Sequence, residues 1–369
     1  MTIHRLQPLL IAGLLPLLIF AWFIGGVAGQ VDFWLLWLVA MTLVGLPLVF
    51  AEIALAYRSG TTPLIGLSTL TREADVATIW RGFGWLTVLL LLAVVGHLLN
   101  SSATILQLNF LPISTVATPA LLAIIALITL GLSFAKQLTG WLAMGLATVA
   151  FILNIAQNGI ATWQMTATSL SEWSLAVVLA LVCVGAGTGL FWHSHANQLL
   201  NRGDVNKDHK KDHKSIASRI VLPIWCFQII GGILVALALP PTGQISAICY
   251  ALAMMAGASY LLHLITYQVS LKISQQSFNF LISVIVLVIA LGLAMLPSLA
   301  LNHLVAVFSL FAGIWLAIFA GWQMKISHLR KSLNFSSEIV YNLWRIAVRI
   351  VIPLAIVLAF IGWIIGLAK

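Results

Sequence analysis

One carboxylate in the chain lies well inside an apolar run: Glu52, in the stretch Gly45-Leu46-Pro47-Leu48-Val49-Phe50-Ala51-Glu52. An acid at membrane depth costs about 2.5–3.5 kcal/mol unless it is paired. Glu52 is therefore read by default as a functional candidate, with proton carriage one role open to it. His97 and His263 also sit deep in apolar runs. An imidazole there either donates a structural hydrogen bond or, titrating near neutrality, moves a proton. His193 and His195 close another run with Ser194 between them. Residues two apart on a helix diverge, so this pair reads as interfacial rather than metal-binding. His209 and His213 have the spacing that grips a metal on a helix. They belong to a tandem tetrapeptide, Lys207-Asp208-His209-Lys210 and Lys211-Asp212-His213-Lys214, whose charge density reads as a solvated loop.

Other chemistry is missing. Cys183, Cys226 and Cys249 all lie in apolar segments, an odd set that gives no disulfide framework and no zinc spacing. There is no phosphate-binding glycine loop, nucleophile elbow or cysteine–histidine metal set, so neither an enzyme nor a cofactor is expected.

The elements that must position these residues follow from composition. Hydrophobic residues make up 62% of 369 and charged residues 7%, with a mean hydropathy of +1.09. A soluble domain carries about a quarter charged residues. The apolar residues come in runs of roughly twenty, the length of helix that crosses about 30 Å of hydrocarbon. An all-α integral membrane protein of about eleven transmembrane helices is expected, with spans near 8–29, 33–56, 80–108, 114–134, 139–163, 172–195, 219–240, 245–272, 277–297, 301–325 and 346–367. The chain forms a single polytopic membrane domain.

The net charge of +9 does not point to nucleic acid, because the cations fall between apolar runs, where they set orientation. With a cytoplasmic N-terminus, alternation of the eleven spans puts every Lys and Arg except Lys369 on the cytoplasmic side. The positive-inside rule thus supports both direction and count. A multi-pass protein of the inner (plasma) membrane is expected.

The second-span block, followed by Tyr57-Arg58-Ser59-Gly60 and Thr61-Thr62-Pro63, resembles the neurotransmitter:sodium symporter family, the LeuT-like amino-acid transporters. Trp80-Arg81-Gly82-Phe83-Gly84-Trp85-Leu86 continues the resemblance, as do Gly185-Ala186-Gly187-Thr188-Gly189 and Ile318-Phe319-Ala320-Gly321-Trp322. Trp344-Arg345 through Arg349-Ile350-Val351-Ile352-Pro353 closes it, so the motifs run in family order along nearly the whole chain. The chain looks like a divergent bacterial member.

The resemblance implies a five-plus-five inverted repeat, with repeat one near 8–163, repeat two near 172–297 and extra helices near 301–367. In that fold the first helix of each repeat breaks near the midplane, and its freed backbone binds substrate and ions. Pro16 with Gly25-Gly26 in span one, and Gly185, Gly187 and Gly189 in span six, are the residues that would permit breaks. The bland alternative is that small residues only let helices pack closely. Glu52 matches the family glutamate that accepts hydrogen bonds from backbone near the breaks. The substrate site would be lined by Pro16, Gly25, His97, Asn100, Gly185, Gly187 and Gly189. His263, Thr266 and Glu52 would serve ion or proton coupling.

Departures from the family pattern bear on coupling. From Pro8 to Gly29 the one hydrogen-bonding side chain is the indole of Trp22, and the family's first-helix asparagines fall on positions like Leu15 and Ala21. Sodium needs oxygen ligands. The Thr-Ser pair of the second sodium site becomes Thr266-Tyr267, and the outer hairpin between spans seven and eight shrinks to Pro240-Pro241-Thr242-Gly243-Gln244. The expected function is secondary transport of a small organic solute, an amino acid or related amine, by alternating access. Sodium coupling is disfavoured, and proton coupling or uncoupled exchange is left open. The alternative is a transport-inactive relative that serves as a membrane sensor or scaffold.

Overall fold

Runs of apolar residues in lipid have one local solution. Each must satisfy its own backbone hydrogen bonds, and the helix does so within the segment. The computed structural model describes residues 6–110, 118–182, 185, 187–194, 216–276, 279–335 and 337–367, and these are almost wholly helical. His195, Cys183 and the tandem tetrapeptide lie outside the described residues.

The helices are α1 (Gln7–Phe23), α2 (Val31–Ser59), α3 (Pro63–Ala74), α4 (Gly82–Phe110), α5 (Thr118–Ser133) and α6 (Gln137–Asn158). They continue with α7 (Leu170–Val182), α8 (Ile216–Ala238), α9 (Gln244–Ile273), α10 (Phe280–Ala294), α11 (Ser298–Gln323), α12 (Ile326–Leu333) and α13 (Glu338–Leu367). A π-helical turn interrupts α2 at Met41–Gly45 and α13 at Ala347–Val351, and another ends α11 at Phe319–Gln323. Among the described residues seven helices are long and apolar enough to cross a membrane, and α1, α5, α7 and α10 are shorter apolar helices. The chain is a multi-pass membrane protein.

Helix α1 is the centre of the bundle. Every residue from Leu10 to Phe20 is buried, on all sides of the helix, as expected of a helix that is apolar all round and surrounded by others. It packs along α8 and α6, while α9 packs along α6 and α4, and α13 along α7. Apolar packing in lipid gains little from hydrophobic transfer, so close fit decides which faces meet. Gly13 lies against Met144, Gly257 against Leu18, and Gly140 against Leu10 and Tyr260. Helices α10 and α13 turn rows of Ile, Leu and Val outward.

The expected break in span one is not found. Helix α1 runs unbroken through Pro16 and ends at Phe23, where Ile24 N–H still bonds Phe20 O. Proline removes one helix hydrogen bond. Here its ring fits the space left by Gly231 of α8, and the packed neighbour supports the helix across the gap. Gly25 and Gly26 are exposed in the turn that follows, beyond the end of the helix.

That turn is pinned by the 159–169 segment. Gln164 N–H bonds Gly29 O at 2.8 Å, Val31 N–H bonds Gln164 O at 3.0 Å, and Asp32 accepts from Thr166 N–H at 2.9 Å. The short link between α8 and α9 is held by Asn154, whose amide donates to Ala238 O at 2.6 Å and whose oxygen accepts from Thr242 N–H at 3.1 Å.

Candidate functional site

The chain leaves helical geometry after α7. Gly185, Gly187 and Gly189 all take left-handed backbone angles, with φ of 69°, 78° and 76°, and the backbone is helical again at 190–194. Side chains strain in that region and glycine does not. Unwinding frees backbone donors that no water can satisfy in lipid. Glu52, on the inward face of α2 and fully buried, meets them. One carboxylate oxygen accepts from Gly187 N–H at 2.5 Å and Gly189 N–H at 3.3 Å, and the other from Trp192 N–H at 3.1 Å. The Trp192 indole then donates to Thr61 O at 3.0 Å, tying the turn to the link between α2 and α3. Thr188 closes its own hydroxyl onto Gly185 O at 2.6 Å.

The walls of the break are close. A methyl on Gly187 would stand 3.0 Å from the Gly313 Cα of α11, and one on Gly189 would stand 3.1 Å from the Thr87 side chain of α4. Gly185 faces Leu15 of α1. Leu15, Leu181 and Phe191 are buried around it, so the described side chains at this crossing are mostly apolar.

His97 belongs to a separate polar group nearer the end that carries the 24–30 turn. Its ring lies parallel to the Trp22 indole, 3.7 Å between centres. Its Nε2 bonds Asn302 Oδ1 of α11 at 2.5 Å, and its Nδ1 pairs with the Ser101 hydroxyl at 2.9 Å. Since an amide oxygen only accepts, Nε2 carries the proton and Nδ1 accepts from Ser101. Asn302 donates in turn to Trp22 O at 3.3 Å. Three helices, α1, α4 and α11, are joined over the crossing by this group. Asn100 is not part of it: its amide donates to Ala294 O at 2.7 Å and Leu296 O at 3.3 Å, where α10 ends.

Toward the opposite end, α9 carries His263 and Thr266. The Thr266 hydroxyl accepts from Ser283 of α10 at 3.2 Å, so it is turned away from α1. Tyr267, one turn on from His263, instead meets the His193 ring edge to face, 5.3 Å between centres. His193 is fully buried, and neither ring nitrogen has a hydrogen-bond partner among the described residues. The interfacial reading of His193 is thus corrected, because the turn after the break directs it inward against α9.

The fold therefore brings Gly187 and Gly189 onto Glu52, with Gly185 opening the same break against Leu15. It sets His97 beyond them on one side and His263 with Thr266 on the other, and leaves Pro16, Gly25 and Asn100 elsewhere. Asn302 was missed from sequence. Its signal was an isolated amide in an apolar run, which does not say which helix it will meet. No group of three metal-ligating side chains is present among the described residues.

The arrangement superposes on a solved structure, MhsT in complex with L-phenylalanine, with a TM-score of 0.69 over 97% of this chain and 98% of that one. The sequences are 17% identical, so the likeness shows the fold, which is LeuT-like. No family model matches the sequence, and no curated protein matches it either.

Proposed function

We propose that this chain is a secondary transporter of a small organic solute, an amino acid or related amine, working by alternating access in the inner membrane. The reading takes the seven long and four shorter apolar helices as eleven spans in a five-plus-five inverted repeat with a cytoplasmic N-terminus. The observation that carries it is the broken segment at Gly185–Gly189 held by a buried carboxylate. A helix interrupted in lipid forfeits backbone bonds, and a dedicated acceptor that keeps it interrupted suits a segment whose freed carbonyls meet a polar solute. The solved structure of the same fold holds L-phenylalanine, which supports an amino acid as the class to test first.

Coupling is assigned to protons rather than sodium. Span one supplies no side-chain oxygen from Pro8 to Gly29, and the Thr266 hydroxyl is turned to Ser283. His263, beside Tyr267 and His193, is the candidate coupling group. In proteoliposomes, amino-acid uptake is expected to follow an imposed pH gradient, to persist when choline replaces sodium, and to fall in His263→Ala. A steep sodium requirement overturns the coupling assignment.

A second reading, a transport-inactive sensor or scaffold, is favoured by one specific observation. The unbroken α1, apolar from Pro8 to Phe20, lays Leu15 directly against Gly185. A thermal-shift panel of amino acids separates the two. A ligand at a hundred times its Kd stabilises the native state by about 2.7 kcal/mol. A panel with no shift, together with no uptake, selects the scaffold.

A further inference from the structure

Where α11 ends and α13 begins its crossing, the surface opens into a recess of about 710 Å3 lined by Trp322, Lys325, Ser327, Arg330 and Arg349. Arg349 is built into it: Nε donates to Gly321 O at 2.5 Å, and the guanidinium carbon lies 5.4 Å from the centre of the Trp322 ring. Neither terminal nitrogen of Arg349 has a hydrogen-bond partner among the described residues, so both are held in place with donors to spare. Arg345 precedes Arg349 by a turn of α13, close enough for the two charges to repel. Among the described residues, the one ion pair made by these four cations is Arg330 with Glu338, at 3.1 Å. Among the described residues, Lys325, Arg345 and Arg349 make no ion pair.

Cations of like sign crowded beside one another are costly unless an anion joins them. Arginine's fixed fork suits a phosphate held by two oxygens at once. Ser327, in the first turn of α12, adds the positive end of a helix. The height of the recess selects the source of that phosphate. Trp322 is 60% exposed beside it, as aromatic residues are at a headgroup boundary. From the same point Ile346, Ile350 and Leu354 of α13 run outward-facing into the span, a path for acyl chains.

We propose that this recess binds the phosphodiester headgroup of an anionic phospholipid from the cytoplasmic leaflet, with the acyl chains lying along α13. The site is independent of solute transport and holds under either functional reading. It gives the cluster a role beyond setting orientation.

The test uses the full-length protein in nonionic detergent, with apparent unfolding temperature measured against added phosphatidylglycerol, phosphatidylcholine or inorganic phosphate. Phosphatidylglycerol is expected to raise the unfolding temperature saturably, phosphatidylcholine much less, and phosphate not at all. Lys325→Gln and Arg345→Gln, neither of which touches the Gly321 contact, should each weaken the phosphatidylglycerol response about fivefold in apparent affinity. Lys272→Gln, an exposed cation at the end of α9, should leave it unchanged. Equal shifts from both lipids overturn the proposal, as does a phosphate response of the same size. An unaltered phosphatidylglycerol response in the Lys325→Gln/Arg345→Gln double variant also overturns it. Lipid retained by the wild-type protein in native mass spectrometry gives a second reading that needs no variant to fold: phosphatidylcholine kept as firmly as phosphatidylglycerol counts against the site.

Discussion

Glu52 holds three backbone donors with two oxygens, and the consequences of removing it follow from which donors are stranded. Glu52→Ala leaves three N–H groups buried without an acceptor, at about 1–3 kcal/mol each. Glu52→Gln keeps one carbonyl oxygen in place. Apparent unfolding temperature in detergent should therefore fall far more for Ala than for Gln. Equal falls would mean that the charge itself, rather than the acceptor, is what the site needs. The importance of Glu52 was legible in the sequence, since a lone acid at membrane depth is too costly to persist without buried donors or a proton to carry. The partners of His97 were not. Asn302 lies 205 residues away, and nothing in either helix's sequence fixes the rotation that makes them meet.

At the scale of the element, the two expected breaks behave differently. In the segment after α7, Gly185, Gly187 and Gly189 adopt left-handed angles; in α1, a proline leaves the helix whole, and Gly25 and Gly26 fall in the turn beyond its end. The difference lies in what surrounds each. Pro16 forfeits one hydrogen bond and is packed against Gly231, whereas the glycine segment is offered a carboxylate that rewards unwinding. Gly187→Ala should destabilise the protein, because the left-handed angle costs a side chain about 1–2 kcal/mol and the new methyl would press on the Gly313 backbone at 3.0 Å. Gly131→Ala is the matched control. It lies in regular α5 with open space around it, and should stabilise by about 0.5–1 kcal/mol. Thermal unfolding of both variants checks the pair. Changes of the same sign would show that the backbone angle is not what Gly187 supplies.

For the whole molecule, the charge pattern predicts which loops face outward. In a background with Cys183, Cys226 and Cys249 replaced by alanine, cysteines at Asp32 or Thr242 should react with an impermeant thiol reagent in intact cells, and cysteines in the 196–218 loop should be shielded. Labelling of that loop from outside would reverse the direction assigned to every helix. The sequence by itself determined that the chain is a bundle of membrane helices and where most of them lie. Runs of twenty apolar residues have no other way to satisfy their backbones in hydrocarbon. It also marked Glu52 and the glycine segment, because each breaks the local apolar rule. The tertiary structure alone decided that α1 stays whole, that His193 points inward, that Thr266 turns to Ser283, and that Asn100 serves the end of α10. Those outcomes depend on how each helix is rotated against its neighbours. An apolar helix in lipid is nearly indifferent to its own rotation until close packing and a few polar contacts between distant segments select one.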